Sequence, residues 1–376
     1  MTTLAWVAVE LDSGRVLADL PLLDGDSGPV TIVQTMGRYE QAIVTLPVNL
    51  QNAVPDWEYA TMPAASALVL LQDDVPIWGA YIARRKRGAG DVIWLTLMTM
   101  EGYFDRRYLG DVSFTQVGQN SIVQSLVNSY AAAGSNGGIP IRVQVVNGGV
   151  GTLRDRTYFD KDDKTLYSAL QDLAGVINGP EWTIGWEHQS NPERFTPVLY
   201  VGDRLGTAST AGLSPAAMFD MPGAINNFSY EEDYGVGRGA TDVMAYSSGQ
   251  GDVRPQSPRQ VAADLTRPTF EYRWTPSTSI TDVSTLTGYA QGKLLQLSGG
   301  TTTVALSAIL KHAPKLGIDW FMGDDIGFQI GGLDGTGRDT VPAFPGGLTG
   351  VARAIGYQLT LDNTPTITPV LAGSDL

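Results

Sequence analysis

Four cations stand in a row at Arg84, Arg85, Lys86 and Arg87, in a chain of 376 residues with a formal net charge of -14. A run of this kind can hold phosphates or an acidic protein surface through charge-assisted hydrogen bonds. Few other residues offer chemistry. There is no cysteine, so thiolate metal sites and disulfides are excluded, and the two histidines, His188 and His312, lie far apart. Glu181 and Glu187 share one face of the stretch "EWTIGWEH". Sugar cleavage needs two carboxylates within about 5 to 10 Å. Six residues of strand separate this pair by roughly 20 Å at about 3.3 Å per residue, so they cannot serve each other.

Two further stretches resemble ligand loops only in part. "DKDD", Asp160 to Asp163, supplies oxygen ligands but lacks the glycine at the sixth and the glutamate at the twelfth position of a calcium loop. Its acids are expected to cap a helix instead, with Asp162 or Asp163 as N-cap. "GVGRGA", Gly235 to Ala240, departs from the dinucleotide fingerprint, has no helix predicted after it and reads as a loop. No catalytic residue, metal ligand or cofactor site is assigned.

The elements that must position these residues are mostly strands. The periodicity predicts strands over 4–11, 15–20, 30–36, 42–48, 67–72, 75–84 and 91–100, the last so apolar that a strand buried on both faces or one that closes a barrel is expected. The basic run lies where the final two meet, with "GAG" after it, and is expected at the tip of a hairpin. Nucleic-acid binding would need aromatics among the cations, and the nearest, Tyr81 and Trp94, are expected to face the core. A protein contact and a solvated tip remain as readings. A helix is predicted behind Ser121, with Gln124 completing a capping box, and a second over 164–177. Trp182, Ile184, Trp186 and His188 share one strand face, so His188 is expected to be packed rather than catalytic. A third helix over 281–297 places Val283, Leu286, Ala290, Leu294 and Leu297 on one stripe, and strands follow over 301–310, 326–330, 350–361 and 366–372.

Bulk composition agrees with a β-rich protein of many turns: 43% hydrophobic and 17% charged residues, with 44 glycines and 21 prolines. The length suits two or three domains. The N-terminus lacks the pattern of a secretory signal, and no apolar run approaches the roughly 18 residues of a membrane span. The acidic balance repels DNA phosphates, as the wall of a conduit past which DNA slides would.

The order of the pieces resembles a known family. "PIWGAYIARRKR", then a strand leading to Glu101, Gly102, Tyr103, Phe104, Arg106 and Arg107, then "GPEWTIGW" from Gly179 to Trp186, is similar to hub-type minor tail proteins of long-tailed actinobacteriophages. "NNFSYEEDYGVGRGATDVMAYSSGQG" and "MGDDIGFQI" also match the layout of that family. The resemblance implies a mainly β fold with inserted helices: two small tail-tube-like β-barrels, over 1–112 and 226–376, flanking a helical and mixed insertion over 113–225. It implies a structural virion protein of the tail tip or baseplate, a homotrimer that adapts a sixfold tube to a threefold tip. Its neighbours would be the distal tail protein ring, the tape measure protein and other tail-tip proteins, with DNA as passing cargo and assembly in the host cytoplasm. It implies no enzyme, with Arg84, Arg85, Lys86 and Arg87 as a protein interface. The competing readings are a tail-associated wall hydrolase using Glu181 and a carbohydrate-binding protein using exposed tryptophans such as Trp182 or Trp57.

Overall fold

The computed structural model describes residues 3–49, 54–134, 136–209, 214–248, 254–263, 266–278 and 280–372. Its first part contains β1 (Leu4–Glu10), β2 (Val16–Leu20), β3 (Asp24–Gly25), β4 (Val30–Thr35), β5 (Gln41–Pro47), the short α1 (Trp57–Ala60), β6 (Ser66–Gln72), β7 (Val75–Arg87), β8 (Val92–Thr99) and α2 (Glu101–Phe104). Seven of these strands form one sheet in the order β2-β1-β6-β7-β8-β5-β3, so the expected barrel is a half-barrel that ends at β2 and β3. In β8, Ile93, Leu95 and Leu97 are buried while Val92, Trp94, Thr96 and Met98 are half-covered. One face of β8 therefore meets the core, so of the two expectations burial on both faces does not hold, and the strand lies between β7 and β5 inside the sheet. The strand buried along its whole length is β6.

β4 has left the sheet of its sequence neighbours. It pairs antiparallel with a strand more than 300 residues away in the chain, Val30 opposite Leu361 and Thr35 opposite Gly356.

The middle part comprises β9 (Val112–Gly118), α3 (Gln119–Tyr130), β10 (Arg142–Val145), β11 (Leu153–Tyr158), α4 (Leu166–Ala174), β12 (Glu181–Ser190) and β13 (Glu193–Gly202). β12 and β13 form a hairpin, with β10 parallel to β13. Both helix starts differ from expectation. α3 is capped by Gly118, because the carbonyls of Thr152 and Val150 accept from the Gln119 and Asn120 N–H groups, which leaves Ser121 inside the helix. α4 is capped by Thr165, whose Oγ1 accepts from Ser168 N at 3.1 Å. Asp160–Asp162 form a 3-10 turn and Asp163 takes φ 47°, so neither Asp162 nor Asp163 has the extended backbone an N-cap requires. Ala67, Val69 and Leu71 of β6 join Leu126, Leu170 and Trp182 in one core, so the half-barrel and the middle part share it.

The last part adds β14 (Met218–Met221), β15 (Ile225–Asp233), β16 (Asp242–Ala245), β17 (Gln260–Val261), β18 (Glu271–Trp274), α5 (Val283–Leu297), β19 (Thr301–Ile309), β20 (Asp325–Ile330), β21 (Leu348–Leu361) and β22 (Thr366–Leu371). A second sheet runs β14-β20-β21-β22-β19-β15, and β4 joins it on β21. The chain packs as two compact units, residues 1–227 with 306–372, and residues 228–305. The smaller unit has its own core, in which Leu286, Ala290 and Leu297 of α5 meet Val243 and Ala245 of β16. Asp282 caps α5 by accepting from Thr285 N at 2.7 Å, and Val283, expected on the buried stripe, is exposed in the first turn.

Candidate assembly surface

The basic run lies within β7 rather than at a turn. Arg84, Arg85, Lys86 and Arg87 pair with Thr96, Leu95, Trp94 and Ile93 across the hairpin. A bulge between Ile82 and Arg84 resets the alternation, so Arg85 and Arg87 share one face and Arg84 and Lys86 the other. On the first face Arg85 Nη1 donates to the Glu58 carbonyl and to Thr61 O and Oγ1 at 3.1 and 3.0 Å, while Arg87 pairs with the Glu58 carboxylate at 2.6 Å. Both guanidiniums lie over the Trp57 ring, at 5.7 and 5.0 Å. Burial and the neighbouring Arg87 charge lower the Arg85 pKa from its usual range. These two cations thus hold α1 on the sheet, each ring contact adding on the order of 0.5–1 kcal/mol.

On the second face Lys86 lies 5.0 Å from the Trp94 ring, whose Nε1 donates to Asp26 at 2.7 Å. Trp94, expected in the core, therefore sits on the outer face. Exposed Arg84 and Lys86 and half-covered Trp94, beside Ile43 at 49% exposure, form the part of this stretch open to a partner. Trp57, with no periodic pattern around it, gave no sign in the sequence of lying beneath the two arginines.

The residues that could have done chemistry are held in structural roles. Glu181 forms a two-pronged pair with Arg353, one contact at 2.7 Å, and also accepts from Leu205 N. Glu187 pairs with Arg142, and the Tyr200 hydroxyl donates to it at 3.4 Å. Burial and the Glu187 charge push the Tyr200 pKa up to about 12. His188 stacks on Phe195 at 4.5 Å but is exposed rather than packed, because it lies near the end of β12, and His312 is exposed too. Trp182 is 1% exposed, which overturns its use as a surface platform for sugars. Among the described residues, no cluster of three or more possible metal ligands occurs, and no helix is long and apolar enough to cross a membrane.

One residue of the aromatic-glycine stretch has a role that spacing did not reveal. Glu101 is fully buried where three sheets approach one another. Its Oε1 accepts from Gln34 Nε2 of β4 at 2.8 Å and from Ile184 N of β12 at 3.0 Å, while Oε2 has no hydrogen-bond partner among the described residues. Burial pushes its pKa up to about 7, against the hydrogen bonds it accepts. Gly79 of the "Trp-Gly" pair is also explained: a Cβ there would lie 2.4 Å from the Trp186 ring.

This β-rich fold with inserted helices is similar to that of solved tail proteins. Two solved structures match it end to end. The 43 kDa tail protein of prophage MuSo2 from Shewanella oneidensis is 10% identical with a TM-score of 0.54, covering 98% of this chain and 98% of that one. The tail protein from Neisseria meningitidis MC58 is 13% identical with a TM-score of 0.54, covering 97% and 96%. A chain of the Francisella PdpA-VgrG complex matches at 6% identity and a TM-score of 0.53, over 98% of this chain and 57% of its own. No protein-family model and no curated protein sequence matches.

Proposed function

We propose that this chain is a structural protein of a phage-type tail tip, a hub that works by assembly rather than catalysis. The observation that carries this reading is the fold likeness along 98% of both this chain and the Shewanella tail protein. In this reading residues 1–112 and 226–376 supply two tube-like modules around the insertion at 113–225. Three chains would bring six such modules, adapting a sixfold tube to a threefold tip. The distal tail ring, the tape measure protein and other tip proteins would be its neighbours in the virion, after assembly in the host cytoplasm. The net charge of -14 suits a wall past which DNA moves during ejection. Arg84 and Lys86 would meet an acidic surface on a neighbour, setting register more than affinity. A hydrolase reading is disfavoured because Glu181 and Glu187 are each held by an arginine.

Light scattering combined with electron microscopy of the purified protein tests the hub. Particles with three times the 40.2 kDa chain mass and threefold symmetry are expected. A persistent monomer at high concentration, with no ring-shaped particle, would overturn it.

A further inference from the structure

β12 is the outermost strand of its sheet, bonded to β13 on one side only. In an antiparallel ladder alternate residues direct their N–H and C=O toward the partner strand and the residues between direct theirs away. Ile184 fixes the phase, because its N–H donates to Glu101 rather than to Leu199 opposite it. Trp186 and His188 share that phase. Trp186 moreover stands opposite Pro197, which has no N–H to give. The peptide groups of Trp186 and His188 therefore point off the open edge of the sheet, where an added strand would bond.

Both residues line a cleft of about 700 Å³, whose lining also includes Val75, Leu316 and Phe321. Phe321 is 55% exposed and offers an apolar face. Thr183, in the same cleft, is 7% exposed and its hydroxyl has no hydrogen-bond partner among the described residues, a rare state for a buried polar group. Of the lining carboxylates, Glu187 is paired with Arg142 and buried Asp324 accepts from the Thr207 and Phe321 N–H groups, whereas Asp74 is exposed, and no lysine or arginine is among the described lining residues.

We infer that this cleft receives an extended segment of a partner protein, which adds as a strand to the β12 edge at Trp186 and His188 and brings a lysine or arginine to Asp74. Backbone hydrogen bonds give such a contact its affinity, and the alternate side chains its choice of sequence. An apolar small molecule would fill the volume but leave both the edge and Thr183 unmet. The cleft would bind such a segment whether or not the chain forms a trimer.

The probe is a fluorescent heptapeptide, Thr-Val-Lys-Val-Thr-Val-Lys with blocked ends, titrated with the full chain and followed by anisotropy. Saturable binding is expected. His188→Pro removes one outward N–H without touching the ladder to β13 and should weaken binding about tenfold, roughly the value of one net hydrogen bond. A peptide with alternate backbone nitrogens methylated should lose binding, and Asp74→Lys should weaken it in low salt. Circular dichroism establishes that each variant is folded, and Asp74→Lys serves if His188→Pro is not. Absence of saturation, or equal binding of the methylated peptide, overturns the proposal.

Discussion

Replacing Glu101 by glutamine separates the effect of its proton from that of its shape. The fully buried carboxyl accepts from Gln34 and Ile184 through Oε1, and a glutamine amide oxygen can accept the same two bonds. Oε2 has no hydrogen-bond partner among the described residues, so the amide NH2 meets the surroundings that the protonated acid's O–H meets. The folded pKa is raised from 4.5 to about 7. Below about pH 4.5 folded and unfolded chains both hold the proton. As pH rises from about 4.5 to 7 the unfolded chain releases it while the folded chain keeps it, so stability falls by roughly 1.4 kcal/mol per pH unit and levels off above about 7. The whole fall is about 3 kcal/mol. Glutamine has no proton to release. Glu101→Gln should therefore be about as stable as the wild type at pH 5 and about 2–3 kcal/mol more stable at pH 8. Urea unfolding at both values, followed by tryptophan fluorescence, measures this for the larger unit, in which Trp182 lies 6.0 Å from Phe104. A difference between the two proteins that stays constant from pH 5 to 8 would refute the assignment.

Other substitutions probe separate contacts. Gly79→Ala drives a methyl group toward the Trp186 ring and should cost about 1–3 kcal/mol, with a changed near-UV tryptophan signal. Arg353→Met leaves Glu181 largely covered without its cation, and a loss of about 1–3 kcal/mol in chemical denaturation is expected, recovered in part when Glu181→Gln is added. Arg85→Glu with Arg87→Glu should lower the thermal midpoint by freeing α1, whereas Arg84→Glu with Lys86→Glu should leave it unchanged and reduce the particle mass seen by light scattering. Asp282→Ala removes the cap of α5 and should destabilise residues 228–305 by about 1 kcal/mol, read from the unfolding transition of that unit.

Much of this fold is legible in the order of residues because its signals are local. Short apolar runs bounded by turn residues place β5 and β8 within a residue or two, and the apolar spacing of Leu166, Leu170 and Leu173 places α4. The helix starts are less legible. A backbone loop can satisfy the first N–H groups of a helix as well as a side chain can, which is how Val150 and Thr152 displaced Ser121 at α3.

The sequence by itself placed most strands of 4–100 and 301–372, from their apolar runs and the turn residues between, but it showed none of β9, β10, β11 and β14 and put Trp94 on the wrong face. Tertiary structure alone decided which edges pair. Backbone hydrogen bonds are alike at every residue, so nothing within 30–35 states that β4 belongs on β21 rather than beside β5. The same holds for charge. Arg85 and Arg84 are neighbours of one kind in the sequence, but a one-residue bulge turns the first onto Trp57 and leaves the second at the surface. Glu181, which only the competing hydrolase reading used, is neutralised by Arg353, 172 residues on in the chain. A carboxylate's role depends on its surroundings, and distant chain segments supply them.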